Sequence, residues 1–520
     1  MKTITASDLR HHWLTKHEIA LLDVREEGPY SHSHPLWAIS VPVSEIEAKL
    51  PALAPRLSVP IVVYDDGEGY VENAVSRIQA LGYTSVAILQ DGLKGYAAVG
   101  EVYRDVGVPS KAFGELVEAI NHTPSLSARE AKDILENGDG DVAVLDARRF
   151  VEYNTMSIPR GRSCPGGELL YRFFEAVPRP ETTVVVNCAG RTRSIVGAQS
   201  LIHAAVPNRV LALRNGTIGW VLEGLELDSQ KTERVDSPQG EALERARKSA
   251  VDWAEYVGVK LINGKQLAGF VEEDRTLYLL DVRDPEEYAL DHPEGFVNAP
   301  GGQLVQATDE WVGVRGARLV LYDTDGVRAR MTASWLLQLG WEVYVFDETS
   351  TIPKDLSVRE IPSRNPKSGG ISVDEFKALP EKTVVDLARS PVYTKGHIPG
   401  SWFASGPELA RDLKALPDDG PIVLTSPDGV IAAANFEAHR SISRQVLYLV
   451  GGTAAWVDAG NTLETEPRWL SEPIDVYKRP YEGTGNAREA MQGYLDWEYG
   501  LVAQLANDGV AGFHVVRRSQ

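Results

Sequence analysis

Four times along the chain an apolar residue precedes a helix-capping residue and a short helical stretch: Ile4-Thr5, Leu126-Ser127, Ile262-Asn263 and Ile371-Ser372. A brief apolar run ending in Asp follows each time: Leu21-Leu22-Asp23, Val144-Leu145-Asp146, Leu279-Leu280-Asp281 and Val384-Val385-Asp386. Arg25, Arg148, Arg283 and Arg389 come two or three residues later. A second apolar run then appears at 61–64, 184–187, 319–322 and 422–425, and runs this short read as strands. A Gly-containing turn, an Ala-rich or apolar helical stretch (194–205 and 331–339, for example) and a third strand at 86–89, 210–213, 343–346 or 446–449 complete each unit. Strands alternating with helices predict an α/β fold, a mainly parallel sheet with helices on both faces.

The residue directly after the second strand is Asp65, Cys188, Asp323 or Ser426, standing 42, 42, 42 and 40 residues beyond the Asp of its unit. Such regularity predicts four tandem copies of one domain: 1–105, 124–228, 262–352 and 369–465. Residues 229–261 are expected to form a helical linker and 466–520 a C-terminal helical extension. Asp252-Trp253 after the second unit and Asp496-Trp497 after the fourth lie in similar stretches. They suggest duplication of a two-unit half, with the Trp-bearing helices packing across neighbouring domains.

At about 150 residues per domain, the 520-residue length alone predicts about 3.5 domains, which the repeat sharpens to four. Hydrophobic residues at 43% and charged residues at 24% are ordinary for a globular protein. Lys and Arg total 53 against 73 Asp and Glu, and the net charge of -20 argues against nucleic acid or anionic membrane as a partner. The first fourteen residues are polar and no later run approaches 18 apolar residues, so a cytoplasmic location is expected. Two cysteines, Cys164 and Cys188, cannot build a disulfide framework and fit a reducing compartment. His11, His12, His17, His32 and His34 invite a metal reading, but no Cys or carboxylate cluster completes it. His34-Pro35 aligns with His292-Pro293 and with His397, so a turn role is expected, with no metal and no cofactor.

Only the second unit places cysteine at the end of the strand, in Asn187-Cys188-Ala189-Gly190-Arg191-Thr192-Arg193-Ser194. A cysteine at the C-terminal end of a parallel strand, just before a helix, lies where backbone N–H groups converge and favour an anion. With Arg191 and Arg193 nearby, the thiol pKa is expected to fall and Cys188 to act as a nucleophile.

The fourfold unit and the 188–194 loop resemble the rhodanese family of sulfurtransferases, and the likeness covers nearly the whole chain. Leu22-Asp23-Val24-Arg25, Leu280-Asp281-Val282-Arg283, Gly396-His397-Ile398-Pro399-Gly400 and the closing Asn215-Gly216-Thr217-Ile218-Gly219-Trp220 and Gly451-Gly452-Thr453-Ala454-Ala455-Trp456 carry it further. The resemblance implies a persulfide enzyme whose six-residue loop, 188–193, cradles the transferred sulfur. On that basis Ala189, Gly190, Arg191, Thr192, Arg193 and Ser194 are candidate substrate-binding residues. Arg191 and Arg193 are expected to hold sulfonate oxygens, and Ser194 to cap the following helix. Arg148, Arg149 and Glu152 would lie near the pocket rim, with Arg149 a candidate substrate contact.

In related phosphatases an Arg stands where Ser194 stands here, so phosphatase activity is disfavoured. Mercaptopyruvate-using relatives typically have Cys-Gly-[Ser/Thr]-Gly-Val-Thr, from which Ala189 and Arg191 depart. The doubly basic loop better suits thiosulfate, a small anionic sulfur donor, with cyanide, a thiol or a protein as acceptor. Mercaptopyruvate sulfur transfer and a persulfide carrier serving a specific partner are the alternatives. Asp65, Asp323 and Ser426 leave their units without a nucleophile. Cys164 aligns with Ala299, which favours packing over redox chemistry.

Overall fold

In the second repeat the apolar runs become β1 (Ser125–Leu126), β2 (Val142–Asp146), β3 (Gly161–Ser163), β4 (Thr183–Asn187) and β5 (Val210–Leu213). They form a five-stranded sheet in the order β3-β2-β4-β5-β1, with every pairing parallel. The other three repeats build sheets of the same order. This computed structural model describes residues 1–137, 141–347, 349–353, 368–417, 420–440 and 444–518.

Strand register explains the constant spacing seen in the sequence. Asn187 pairs with Asp146, Tyr64 with Asp23, Tyr322 with Asp281 and Thr425 with Asp386. The variable residue is therefore always one step past the Asp partner, at the C-terminal end of the central strand, where this class of sheet presents its ligand sites. The centre of β4, Val184 to Val186, is apolar because both its faces are covered. Val184 and Val186 pack with Leu169, Ala198 and Trp253, and Val185 packs with Leu126, Leu211 and Trp220.

The helices that matter for the site are α1 (Val108–Asn121), α2 (Phe150–Thr155), α3 (Thr192–His203), α4 (Gly216–Leu222), α5 (Gly240–Val257) and α6 (Arg488–Asp508). The chain divides into two compact units: the first and fourth repeats make one, and the second and third, with α1, α5 and α6, make the other. The units thus do not follow the sequential halves suggested by the duplicated Trp helices. Trp253 on α5 is fully buried, stacks on His203 at 4.0 Å and donates Nε1–H to Ser334 Oγ at 3.1 Å, joining the second and third repeats. Trp497 on α6 has a different setting, beside Tyr494 and Lys111.

Buried Asp–Arg pairs close the first three sheets, at 2.6 Å for Arg25–Asp23, 2.7 Å for Arg148–Asp146 and 2.6 Å for Arg283–Asp281. The fourth repeat places its arginine one residue later, and Arg389 pairs with Glu27 instead. The turn histidines stack on tyrosines, His34 on Tyr30, His292 on Tyr288 and His397 on Tyr393, at 4.1, 3.8 and 3.9 Å. Among the described residues, no group of three His, Cys, Asp or Glu could hold a metal ion, and no helix is long and apolar enough to cross a membrane.

Candidate active site

Cys188 follows β4 directly, and the start of α4 fixes its backbone. Thr217 N–H donates to Cys188 O at 2.9 Å and Ile218 N–H donates to Ala189 O at 3.0 Å. Gly216 permits this approach: its φ is +50°, and a Cβ there would stand 2.2 Å from Cys188 O. The loop then runs into α3 at Thr192. Ser194 lies inside the first turn of α3, not at its cap, and its hydroxyl donates back to Arg191 O at 2.8 Å. The capping role expected of Ser194 is thus replaced by another, since its amide and hydroxyl favour the Cys188 thiolate.

Cys188 is 1% exposed, and burial pushes its thiol above the usual range. Arg193 and Ser194 pull it down, while Glu498 adds to the rise. The resting group is therefore a thiol, contrary to the depressed pKa expected from the sequence. Burial strips the thiolate of water, and both loop arginines already carry carboxylate partners.

Arg191 is 3% exposed and faces α1. Its Nε and Nη2 donate to the two Glu115 oxygens at 2.6 and 2.8 Å, and Nη2 also pairs with Glu118. Nη1 donates to the Tyr499 hydroxyl at 2.9 Å and to Asn215 Oδ1 at 3.3 Å. All five guanidinium N–H groups are thereby directed at protein acceptors. The sulfonate contact expected of Arg191 does not match this geometry; Arg191 clamps the loop to α1 and α6.

Arg193 makes a two-pronged pair with Glu152, at 2.9 Å on each arm. Arg149 joins the same carboxylate at 3.1 Å with a side chain that is 54% exposed, which puts it at the rim. Burial would raise the Glu152 carboxyl, but Arg193 and then Arg149 outweigh it and hold the group well below the usual range. Arg148 is not at the rim: it is fully buried and donates to Asp146 and, at 2.6 Å, to Met156 O. The Thr192 hydroxyl is buried without a hydrogen-bond partner among the described residues. With Arg193 it edges an apolar cavity lined by Phe113, Leu170, Val196 and Trp335.

Helix α6 lies over this loop, which the sequence reading had not placed. Ala189 and Ile218 share an apolar cluster with Tyr481, Met491, Tyr494 and Leu495. A Cβ on Gly190 would be 3.2 Å from Tyr494 Cε1 and 3.5 Å from Glu498 Oε2. One signal was available: Met491, Tyr494, Leu495, Leu501 and Leu505 form an apolar stripe at helical spacing, and Glu498 interrupts it. Glu115 and Glu118 lie on α1, outside the repeated unit, and no spacing argument reaches them. Cys164 is fully buried, and burial pushes its thiol to about 12. It packs with Leu145, Leu169 and Phe173, and both cysteines are free.

The loops of the other repeats show what this backbone arrangement binds. The Asp65 carboxylate accepts N–H bonds from Gly67, Gly69 and Tyr70 at 3.1, 2.9 and 2.7 Å. Asp323 accepts from Gly326 and Ala329 at 3.1 and 2.7 Å, and burial pushes it up to about 7. Ser426 Oγ accepts from Ala432 N–H at 3.2 Å. In two repeats the amide cradle is thus filled by the chain's own carboxyl group.

The model of the rhodanese-like domain matches four segments, 5–99, 127–223, 264–349 and 372–459. The crystal structure of a thiosulfate sulfurtransferase from Pseudomonas aeruginosa is 48% identical, with a TM-score of 0.95, covering 99% of this chain and 100% of that one. A protein from Anabaena sp. (24% identity, TM-score 0.19) covers 21% of this chain and 86% of its own. A rhodanese-related protein from Thermoplasma volcanium (22%, TM-score 0.18) covers 19% of this chain and 100% of its own. Comparison with curated proteins returns no match. A fourfold domain match and a relative matched over nearly the whole chain agree with the repeat and the sheet order, and the chain belongs to the rhodanese family.

Proposed function

We propose that the sulfurtransferase chemistry of this chain moves the outer sulfur of thiosulfate onto Cys188 and then to an acceptor thiol or cyanide. The observation that carries this reading is the amide cradle. Two sister loops fill it with a carboxylate, whereas the second repeat offers a thiol at the same place and leaves the amides of residues 189–194 for an incoming anionic sulfur. The full-length relative described as a thiosulfate sulfurtransferase supports the choice of donor.

In the first half-reaction Cys188 gives up its thiol proton to solvent, and the thiolate, held by Arg193 and Ser194 against the upward push of burial, attacks the outer sulfur of thiosulfate. The Cys188 S–S bond forms, the S–S bond of thiosulfate breaks, and its electron pair leaves with sulfite. The persulfide anion that remains is stabilised by the loop amides and by Arg193. An acceptor nucleophile then takes the outer sulfur and restores the thiolate. Arg191, Glu115 and Glu118 hold the loop in place, and Arg149 edges its mouth. The reading includes a reducing, cytoplasmic setting, because both cysteines are free.

The test is thiosulfate:cyanide activity of wild type and Cys188→Ser, with intact mass measured after exposure to thiosulfate. Wild type should gain one sulfur and turn over, and Cys188→Ser should do neither. Activity surviving in Cys188→Ser, or no mass gain in wild type, refutes the reading.

A further inference from the structure

We propose that Glu498, brought to the Cys188 loop by α6, is a substrate-binding residue that meets the anionic sulfur donor as a neutral carboxylic acid and donates a hydrogen bond to it. The inference rests on the function proposed above and adds a residue from outside the catalytic repeat.

The geometry is specific. Glu498 is fully buried. Tyr494 OH donates to its Oε1 at 2.7 Å, while Oε2 has no hydrogen-bond partner among the described residues. That free oxygen is the one 3.5 Å from the Cβ position of Gly190, in the middle of the loop. A buried polar atom without a partner costs about 1–3 kcal/mol. An unpaired oxygen beside the loop proposed to receive an anion is relieved of that cost when it carries a proton and a donor molecule accepts it.

An ionised carboxylate could not do this, since it would repel thiosulfate and the persulfide alike. The surroundings keep the proton on. Burial is the main effect and Glu115 on α1 adds to it. Lys111 on α1, Tyr494 on α6 and Arg191 in the loop oppose it, and the group is pushed up to about 8. Lys111 is the stronger of the two positive groups, with Nζ 5.2–5.7 Å from the rings of Tyr481, Tyr494 and Trp497, while Arg191 is committed to Glu115 and Glu118; together they do not outweigh burial. Cys188, the remaining titratable neighbour, is raised in turn by Glu498. At neutral pH the carboxyl is thus mainly neutral, the state in which it can donate.

The sign of the pH effect follows. Below about 8 the acid donates and the dianion binds; above it the carboxylate repels, and the fall in thiosulfate affinity approaches about tenfold per pH unit. Gln keeps an N–H donor and cannot ionise, whereas Ala cannot ionise and has no donor.

The test measures thiosulfate binding to Cys188→Ser, which cannot turn over, by calorimetry from about pH 7 to about pH 9.5. The same titration is made with Glu498→Gln and Glu498→Ala in that background. With Glu498 present, Kd should rise about fivefold between pH 8 and 9. Glu498→Gln should hold Kd level over that interval, and Glu498→Ala should weaken binding about tenfold at pH 7, with Gln recovering most of that loss. A Kd that is level with Glu498 present, or a rise of the same size in Glu498→Gln, overturns the proposal. Failure of the function reading looks different: Cys188→Ser then binds no thiosulfate at any pH and wild type gains no sulfur. Denaturation of Glu498→Ala would leave the comparison of Glu498 with Gln to decide.

Discussion

Replacing Arg191 by Ala tests whether this arginine organises the loop or meets the donor. The change removes five N–H donors and leaves Glu115 buried with no cationic partner. Side-chain exposure is 2% for Arg191 and 4% for Glu115, so solvent screens the pair very little. Removing one member of such a pair costs about 3–5 kcal/mol, part of which is recovered as the orphaned carboxyl takes up a proton. Burial already pushes the Glu115 carboxyl up, so that proton is readily held. A loss of about 3 kcal/mol should make local opening of the 188–194 loop roughly a hundredfold more frequent. The assay is labelling of Cys188 by a thiol reagent under native conditions, with peptide mapping to separate it from Cys164. Glu115→Gln provides the second arm: with no buried charge left, Arg191→Ala/Glu115→Gln should regain about 2 kcal/mol relative to Arg191→Ala alone. Labelling accelerated less than about threefold, or no relief from Glu115→Gln, would refute the clamp and return Arg191 to the donor's side of the pocket.

Gly216→Ala should disable sulfur transfer and destabilise by at least about 2 kcal/mol, because a left-handed backbone and a clash with Cys188 O coincide there; wild-type activity would show that the loop tolerates displacement. His203 is buried against Trp253, and burial lowers its pKa to about 3. Because the folded value lies below the unfolded one near 6.5, the neutral ring's contribution is complete above about pH 6.5 and is lost as pH falls. Between pH 6.5 and 5 the loss should be about 2 kcal/mol, and urea titrations of His203→Phe should lack it; identical pH slopes would refute the assignment. Asp65→Ala should destabilise the unit of the first and fourth repeats by about 2 kcal/mol, since three loop amides lose their acceptor, while sulfur uptake stays at one per chain. Thermal unfolding together with intact mass checks both halves of that statement.

The repeat, its strands and the placement of Cys188 were legible because strand register and burial on both faces impose regular spacing on the sequence. The Asp of β2 and the residue before Cys188 face each other across one ladder, a pairing kept in all four copies although the fourth is two residues shorter between them. Residues that act from outside the repeat left no comparable mark. Glu115 and Glu118 sit on a helix between two repeats, and Glu498 lies 310 positions beyond Cys188, so only tertiary folding brings them together. The direction of the thiol shift was misread for a related reason. The arginines were visible in the loop, but their carboxylate partners were not, and neither was the depth of burial that outweighs them.

The acidic loops of the first and third repeats also limit how much sulfur the chain can hold. A tethered carboxylate competes for its cradle at an effective concentration far above the millimolar level of a diffusing anion, and it never departs. Those two cradles are permanently self-occupied, closed to thiosulfate, phosphate or sulfite alike. On the proposed reading, the sulfur is carried by the second repeat, whose loop places a thiol where those two place a carboxylate.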